Sequence, residues 1–279
     1  ATISVPLFFR LPTPPNEFKT QPDIVGSCRG FVLLYCATTG DLILWNPSIG
    51  VHKRLSRFED RLTSKFLYGF GYDVSTDDYL FILIKCRRVK TEIQVYSFKT
   101  GSRNTFCIDV PYDPLCSRLR AGWFLNGNLH WMIFSESDMV IVAFDLIQRT
   151  LSEIPLLKEP RTWLGLKEMR GCLGVCCLSL NRTKTEIWVM KEYKVQSSWT
   201  KLVAIPNDPF PGNFFYPIYI TKDGEIFGAN VTNYLEKLND KGEQLQHFTY
   251  NSRLLHMQYL HPAPYRESLL SLPSFIGAS

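Results

Sequence analysis

The chain has 279 residues, of which 45% are hydrophobic and 14% aromatic, enough to bury a large core and too apolar for a disordered chain. Its formal net charge of +5 is mild and its basic residues are scattered, which argues against a nucleic-acid-binding stripe. No apolar run approaches the roughly 18–20 residues that cross a bilayer, and the first residues lack the charged start and long apolar centre of a signal peptide.

In chain order, a strand is expected over residues 3–10, followed by the loop Leu11-Pro12-Thr13-Pro14-Pro15-Asn16, because proline removes backbone donors. A first four-strand group then spans about 24–55. Its Gly26-Ser27-Cys28-Arg29-Gly30 segment forms a tight hairpin, and its second half alternates from Asp41 to Trp45 before the turn Asn46-Pro47-Ser48-Ile49-Gly50. Alternation with turn-formers between the runs predicts paired antiparallel strands. Further groups are expected at about 66–107, 118–154, 163–204 and 214–249.

Two features of the group recur. The last strand residue before the late turn falls at Trp45, Tyr96, Phe144, Met190 and Lys237. The inner hairpin falls at Gly30, Asp77, Gly127, Gly171 and Gly224. Both return at intervals of roughly 45–50 residues, the period of a β-propeller blade. Helical spacing is nearly absent. The strand at 3–10 and the segment 254–270 are left over, and together they predict a sixth blade that closes the ring from both chain ends. The expected fold is all-β: a single propeller of six blades of four antiparallel strands, with one domain over 1–272 and a frayed tail at 273–279.

Eight cysteines without a CxxC pair do not read as a disulfide framework or a zinc site in a chain this long. Cys36, Cys86, Cys107, Cys172, Cys176 and Cys177 lie in or beside apolar runs, as small hydrophobes do, and the vicinal pair Cys176-Cys177 points to opposite faces of a strand. Reduced thiols suit a cytoplasmic or nuclear protein. A secreted, disulfide-linked β domain is the contrary reading. Asp73, Asp77 and Asp78 form the one tight acidic cluster, at a hairpin where Asp satisfies local amides. The five histidines are dispersed, and His130 reads as a structural strand residue. Trp45, Trp188 and Trp199 recur at matching blade positions, which predicts packing between neighbouring sheets.

Several phrases come in one order over roughly residues 24–250. They include Gly26-Ser27-Cys28-Arg29-Gly30, Leu44-Trp45-Asn46-Pro47-Ser48, Tyr68-Gly69-Phe70-Gly71-Tyr72-Asp73 and Leu125-Asn126-Gly127-Asn128-Leu129-His130-Trp131. The most specific is Ile187-Trp188-Val189-Met190-Lys191-Glu192-Tyr193, followed by Ser198-Trp199-Thr200-Lys201-Leu202. In these the chain resembles the plant F-box-associated interaction domain, including the S-locus F-box group. The database label for such relatives mentions kelch repeats, yet the sequence has no Gly-Gly pair and no Trp-Asp dipeptide.

The resemblance implies a non-catalytic substrate receptor of an SCF-type E3 ubiquitin ligase, with this domain holding the client protein. The Skp adaptor and cullin are reached only through an F-box, and the stretch from Ala1 to Ser279 by itself is not expected to dock on them. No cofactor, metal, nucleic acid or membrane is expected. Candidate partner contacts are the basic hairpin tip Arg87, Arg88 and Lys90 and the aromatic loop residues Phe210, Phe214, Phe215 and Tyr216. The competing reading is a carbohydrate-binding or glycosidase-like propeller. That would require Asp73, Asp78, Trp123 and Trp131 to share one mouth.

Overall fold

The computed structural model describes residues 22–57, 62, 66–85, 90–108, 120–135, 138–157, 161–207, 214–229, 234–249 and 268–271. They form five four-stranded antiparallel sheets, each a simple meander in chain order. Blade 1 is β1 (Asp23–Cys28), β2 (Phe31–Cys36), β3 (Asp41–Asn46) and β4 (Val51–Arg57). Blade 2 is β5 (Phe66–Asp73), β6 (Asp78–Lys85), β7 (Thr91–Ser97) and β8 (Arg103–Ile108). Blade 3 is β9 (Trp123–Leu125), β10 (Asn128–Ser135), β11 (Asp138–Asp145) and β12 (Leu151–Ile154). Blade 4 is β13 (Thr162–Met169), β14 (Cys172–Leu178), β15 (Lys184–Met190) and β16 (Trp199–Pro206). Blade 5 is β17 (Tyr216–Ile220), β18 (Ile226–Ala229), β19 (Tyr234–Leu238) and β20 (Gln244–Thr249).

The blade boundaries fall within a few residues of those expected, but five blades are described where the sequence predicts six. The sixth falls on segments 1–21 and 250–267, outside the described residues. The frayed tail at 273–279 is likewise outside them.

Why the sheets stack is legible in β6. Its run Tyr79-Leu80-Phe81-Ile82-Leu83-Ile84 is apolar at every position, because alternate side chains serve two different cores. Tyr79, Phe81 and Leu83 pack with blade 1, while Leu80, Ile82 and Ile84 pack with blade 3. Comparable clusters join blade 3 to blade 4 and blade 4 to blade 5. Cys176 and Cys177 are both buried, on opposite faces of β14. Cys107 differs from expectation: it is exposed, because β8 is an outer strand. Trp45 and Trp199 are buried, but Trp199 opens the outer strand β16, whereas Trp45 and Trp188 lie on third strands.

Each inner hairpin residue singled out by the repeat has positive φ: Gly30 (85°), Asp77 (52°), Gly127 (74°), Gly171 (79°) and Gly224 (94°). In Arg29-Gly30, Asn126-Gly127 and Arg170-Gly171 both central residues do, the geometry of two-residue hairpins whose twist matches the strands.

Backbone and side chains also pin one blade to the next. The approach to blade 3 pairs in parallel with β5 at Tyr68 and Ala121. Gly122 N donates to Tyr68 O at 2.7 Å, and Tyr68 N donates to Arg120 O at 3.0 Å. The Trp131 indole, 1% exposed, donates to the same two carbonyls at 3.0 and 3.1 Å. His130 lies on the other side of β10. Its Nδ1 donates to Trp123 O at 3.0 Å, so its Nε2 accepts from the Tyr193 hydroxyl at 2.6 Å. This couples blade 3 to the connection between β15 and β16. Burial lowers the His130 pKa to about 4; the Trp123 bond opposes that shift and Lys194 adds to it.

A Cβ on Gly122 would lie 2.5 Å from the Trp131 ring. Gly122→Ala is therefore expected to displace the indole and cost about 2–3 kcal/mol, read as a shift in the urea midpoint. Gly50→Ala has open space around it but a φ of +71°, and should cost only about 1 kcal/mol. His130 yields a pH prediction. An unfolded imidazole protonates near 6.5 and the folded one near 4. Stability is thus fully present above 6.5 and falls as pH drops through that window, by about 3 kcal/mol in total. Urea titrations at stepped pH should show this slope, and His130→Gln should flatten it.

Candidate functional site: the two faces of the ring

A meander of four strands puts its connections at two ends. In every blade the first–second and third–fourth turns lie at one end, here the turn face. The second–third turns and the blade-to-blade connections lie at the other, the crossover face. Both sequence-predicted loops belong to the crossover face. Lys90 is exposed immediately before β7, at the β6–β7 connection. Phe214 and Phe215 end the connection from blade 4 to blade 5, and Tyr216 opens β17. Arg87, Arg88 and Phe210 lie outside the described residues.

The structure brings the two groups to one face but not to one spot, since blades 3 and 4 stand between them in the ring order. The aromatic residues also differ in kind. Phe215 is 4% exposed and belongs to the core between blades 4 and 5. A Cβ on Gly228 would meet its ring at 2.1 Å, so only glycine admits it. Phe215 holds the loop from below, whereas Phe214 and Tyr216 are partly exposed beside it. The base of the β6–β7 hairpin is fastened by Lys85 and Glu92 at 3.4 Å, with Lys85 also over the Phe66 ring at 5.6 Å.

Blade 4 carries a polar cluster that sequence reasoning missed. Glu186 on β15 takes Arg161 on one carboxylate oxygen and Lys201 on the other at 2.7 Å, while the Trp188 indole donates to it at 3.1 Å. Arg161 and Lys201 each lie 5.1 Å from the Trp188 ring centroid. Burial pushes the Glu186 carboxyl up, but the Lys201 and Trp188 hydrogen bonds and the two positive charges outweigh it, and its pKa is lowered. The alternation of Glu186 and Trp188 along one strand was the available signal; Arg161 is 25 residues away in sequence and gave none.

Of the acidic cluster, Asp73 serves its own turn, as the sequence suggests, whereas Asp78 serves the neighbouring β7–β8 turn. Asp73 Oδ1 accepts from Ser75 N at 2.9 Å and Ser75 Oγ at 2.6 Å, and Oδ2 accepts from Arg149 at 2.8 Å. Asp78 accepts from Lys99 N at 2.8 Å and from the Ser97 hydroxyl. Both carboxylates are buried on the turn face, whereas Trp123 begins β9 at the crossover end and Trp131 is sealed in the blade 2–blade 3 core. The four residues share no mouth. Among the described residues no group of three or more His, Cys, Asp or Glu could hold a metal ion. No helix among them is long and apolar enough to cross a membrane.

Residues 5–237 match the family described as "F-box associated beta propeller domain". An F-box/kelch-repeat protein of Arabidopsis thaliana is 32% identical over 216 residues, covering 73% of this chain and 57% of its own. A second F-box protein of that plant is 26% identical over 245 residues, covering 76% of this chain and 60% of its own. The Arabidopsis thaliana F-box protein CPR1 is 25% identical over 246 residues, covering 75% and 59%. The chain thus spans about three fifths of the length of these curated relatives. With its repeated four-stranded blades and a match across most of its length, the chain belongs to the F-box associated beta propeller domain family.

Proposed function

We infer that this chain is the substrate-recognition domain of an F-box protein, the client receptor of an SCF-type E3 ubiquitin ligase. The observation that carries this reading is the family match over residues 5–237 together with relatives that are F-box proteins. The domain is non-catalytic. It holds a client protein, and the Skp adaptor and cullin engage through an F-box. The crossover face, with Lys90, Phe214 and Tyr216, is the client surface, on a scaffold whose core residue Phe215 fixes the loop. The six described cysteines are free thiols, which supports a cytoplasmic or nuclear location. The sugar-binding reading loses its support, because Asp73 and Asp78 are bound by Ser75, Arg149, Ser97 and Lys99 on the turn face, away from Trp123 and Trp131.

The reading includes a closed ring with a sixth blade. Val32, Leu34, Ile43 and Trp45 form a cluster on the face of blade 1 turned away from blade 2, and each is at most 6% exposed. Beside it Asn46 Nδ2 donates to Ser268 O and Leu270 O, both at 2.9 Å, and Ser268 N donates to Ser48 Oγ at 2.9 Å. The chain's far end is thus fastened to blade 1, where a blade shared by both termini would stand.

Deletion of residues 1–10 is expected to lower the unfolding temperature by about 5 °C or more; an unchanged melt would refute the shared blade. The function is tested by purifying the full-length protein from plant cells with the proteasome blocked. Ubiquitin-bearing client proteins should accumulate on it, and Lys90→Glu with Tyr216→Ala should reduce their recovery about tenfold. Absence of any ubiquitinated client would overturn the receptor reading.

A further inference from the structure

The first strands of the blades form the inner rim of the structure, and four of them converge. In blade 3 that strand is β9, which lies against β1, β5 and β13 of blades 1, 2 and 4. The approach to β9, residues 120–122, is itself bonded along β5. Arg120 and Trp123 are thereby carried to this rim.

Two cations there have no acceptor among the described residues. Lys167 on β13 is half-buried, and its Nζ lies 5.2 Å from the Trp123 ring centroid, with no hydrogen bond or ion pair. The ring favours an ammonium. Burial nevertheless lowers the Lys167 pKa, and the nearby Cys176 thiol offsets that only in part. Arg120 is half-buried too, and its Nε is closed off from solvent without a hydrogen-bond partner. Its charge reaches the Tyr68 hydroxyl, whose pKa burial pushes up to about 12; Asp23 adds to that rise and Arg120 opposes it.

Net charge is not what distinguishes the rim. Asp23, at the start of β1, and Glu168, next to Lys167 in the chain, roughly balance the two cations. The difference lies in pairing. Glu168 is on the opposite face of β13 and accepts from Gly171 N at 2.5 Å. Asp73, at the end of β5, is held by Ser75 and Arg149. Asp23 makes no ion pair among the described residues, and burial raises its pKa. Arg120 and Lys167 are therefore each withdrawn from water without a counter-charge of their own. Buried cations are ordinarily paired, and a polar group left unmet calls for a bound ion or water.

We propose that this inner rim binds a small oxyanion, the carboxylate or phosphate group of a small molecule, between Lys167 and Arg120 and beside the Trp123 ring. Arginine matches the two oxygens of such a group, and lysine supplies a point charge. First strands this close together admit a small group and not a folded partner. The site is separate from the crossover face and does not depend on the client reading.

The test is thermal unfolding and calorimetry of the whole chain with acetate, inorganic phosphate or chloride at equal ionic strength. At least one oxyanion should raise the unfolding temperature by about 3 °C or more above chloride at saturation, and which one does so identifies the group. Lys167→Met keeps an apolar stem beside Trp123 and should weaken that oxyanion about tenfold. Arg120→Gln should do the same, since the bonds to Tyr68 and Trp131 use the Arg120 backbone. A bound anion favours the ammonium, so binding should take up a proton between neutrality and the ordinary lysine value of 10.5. Affinity should fall as pH rises through that range, and Lys167→Met should abolish the uptake. Glu168→Gln, on the other face of β13, should change neither. Should Lys167→Met unfold the chain, Arg120→Gln and the proton uptake of the unaltered protein decide. The proposal is overturned if neither oxyanion stabilises more than chloride, if both variants bind like the unaltered protein, or if binding takes up no proton.

Discussion

Among the described residues, the sheets that stand between two others are buried on both sides, and that constraint shapes the rest. A blade such as blade 2 has no solvent face: β6 sends alternate side chains into the cores shared with blade 1 and blade 3. A sheet with two apolar faces is stable only between neighbours. Stacking must therefore continue until the first and last faces are covered, and the buried cluster of Val32, Leu34, Ile43 and Trp45 marks where the first face sits. The attachment of residues 268 and 270 to Asn46 falls beside that cluster, so the two ends of the problem meet in one region.

Apolar contacts of this kind have little directionality, and the register between blades is supplied by polar pins. The Trp131 indole reads two carbonyls of the blade 2–blade 3 junction at once. His130 is held neutral between a carbonyl and a tyrosine hydroxyl. Arg149 crosses to Asp73, and Arg170 crosses to the carbonyls of Thr221 and Lys222. The buried ones, at Trp131, His130 and Asp73, pair polar groups that would otherwise be costly to leave unmet. Each also crosses a blade boundary at a defined place, so a slip of one sheet past another breaks it. Arginine at the positive-φ positions of Arg29 and Arg170 makes sense in this light. The strained backbone is accepted because the side chain reaches the next blade.

The scaffold leaves function to what projects from its two faces. The crossover face is made of connections whose roots are fastened, by Lys85 with Glu92 on one side and by Phe215 over Gly228 on the other. The turn face is made of short hairpins locked to each other, with a rigid connection over blades 3 and 4. A propeller built this way can change loop side chains without disturbing its core, as protein-recognition modules require.

Much of the architecture was legible before any coordinates. The period of the repeat, the all-β class, the blade boundaries and the left-handed turn positions from Gly30 to Gly224 all follow from local rules: alternation, turn chemistry and the freedom of glycine at positive φ. The direction of individual side chains was less accessible. Once both faces of a sheet are apolar, alternation no longer says which neighbour a residue meets, so Phe215 reads as a loop aromatic although it is core. Trp199 reads as occupying the same blade position as Trp45 and Trp188, although it opens an outer strand. Pairings such as His130 with Tyr193, 63 residues apart, or Asn46 with Ser268, 222 residues apart, leave no local trace. They exist because stacking brings distant strands together, and only the tertiary structure decides them.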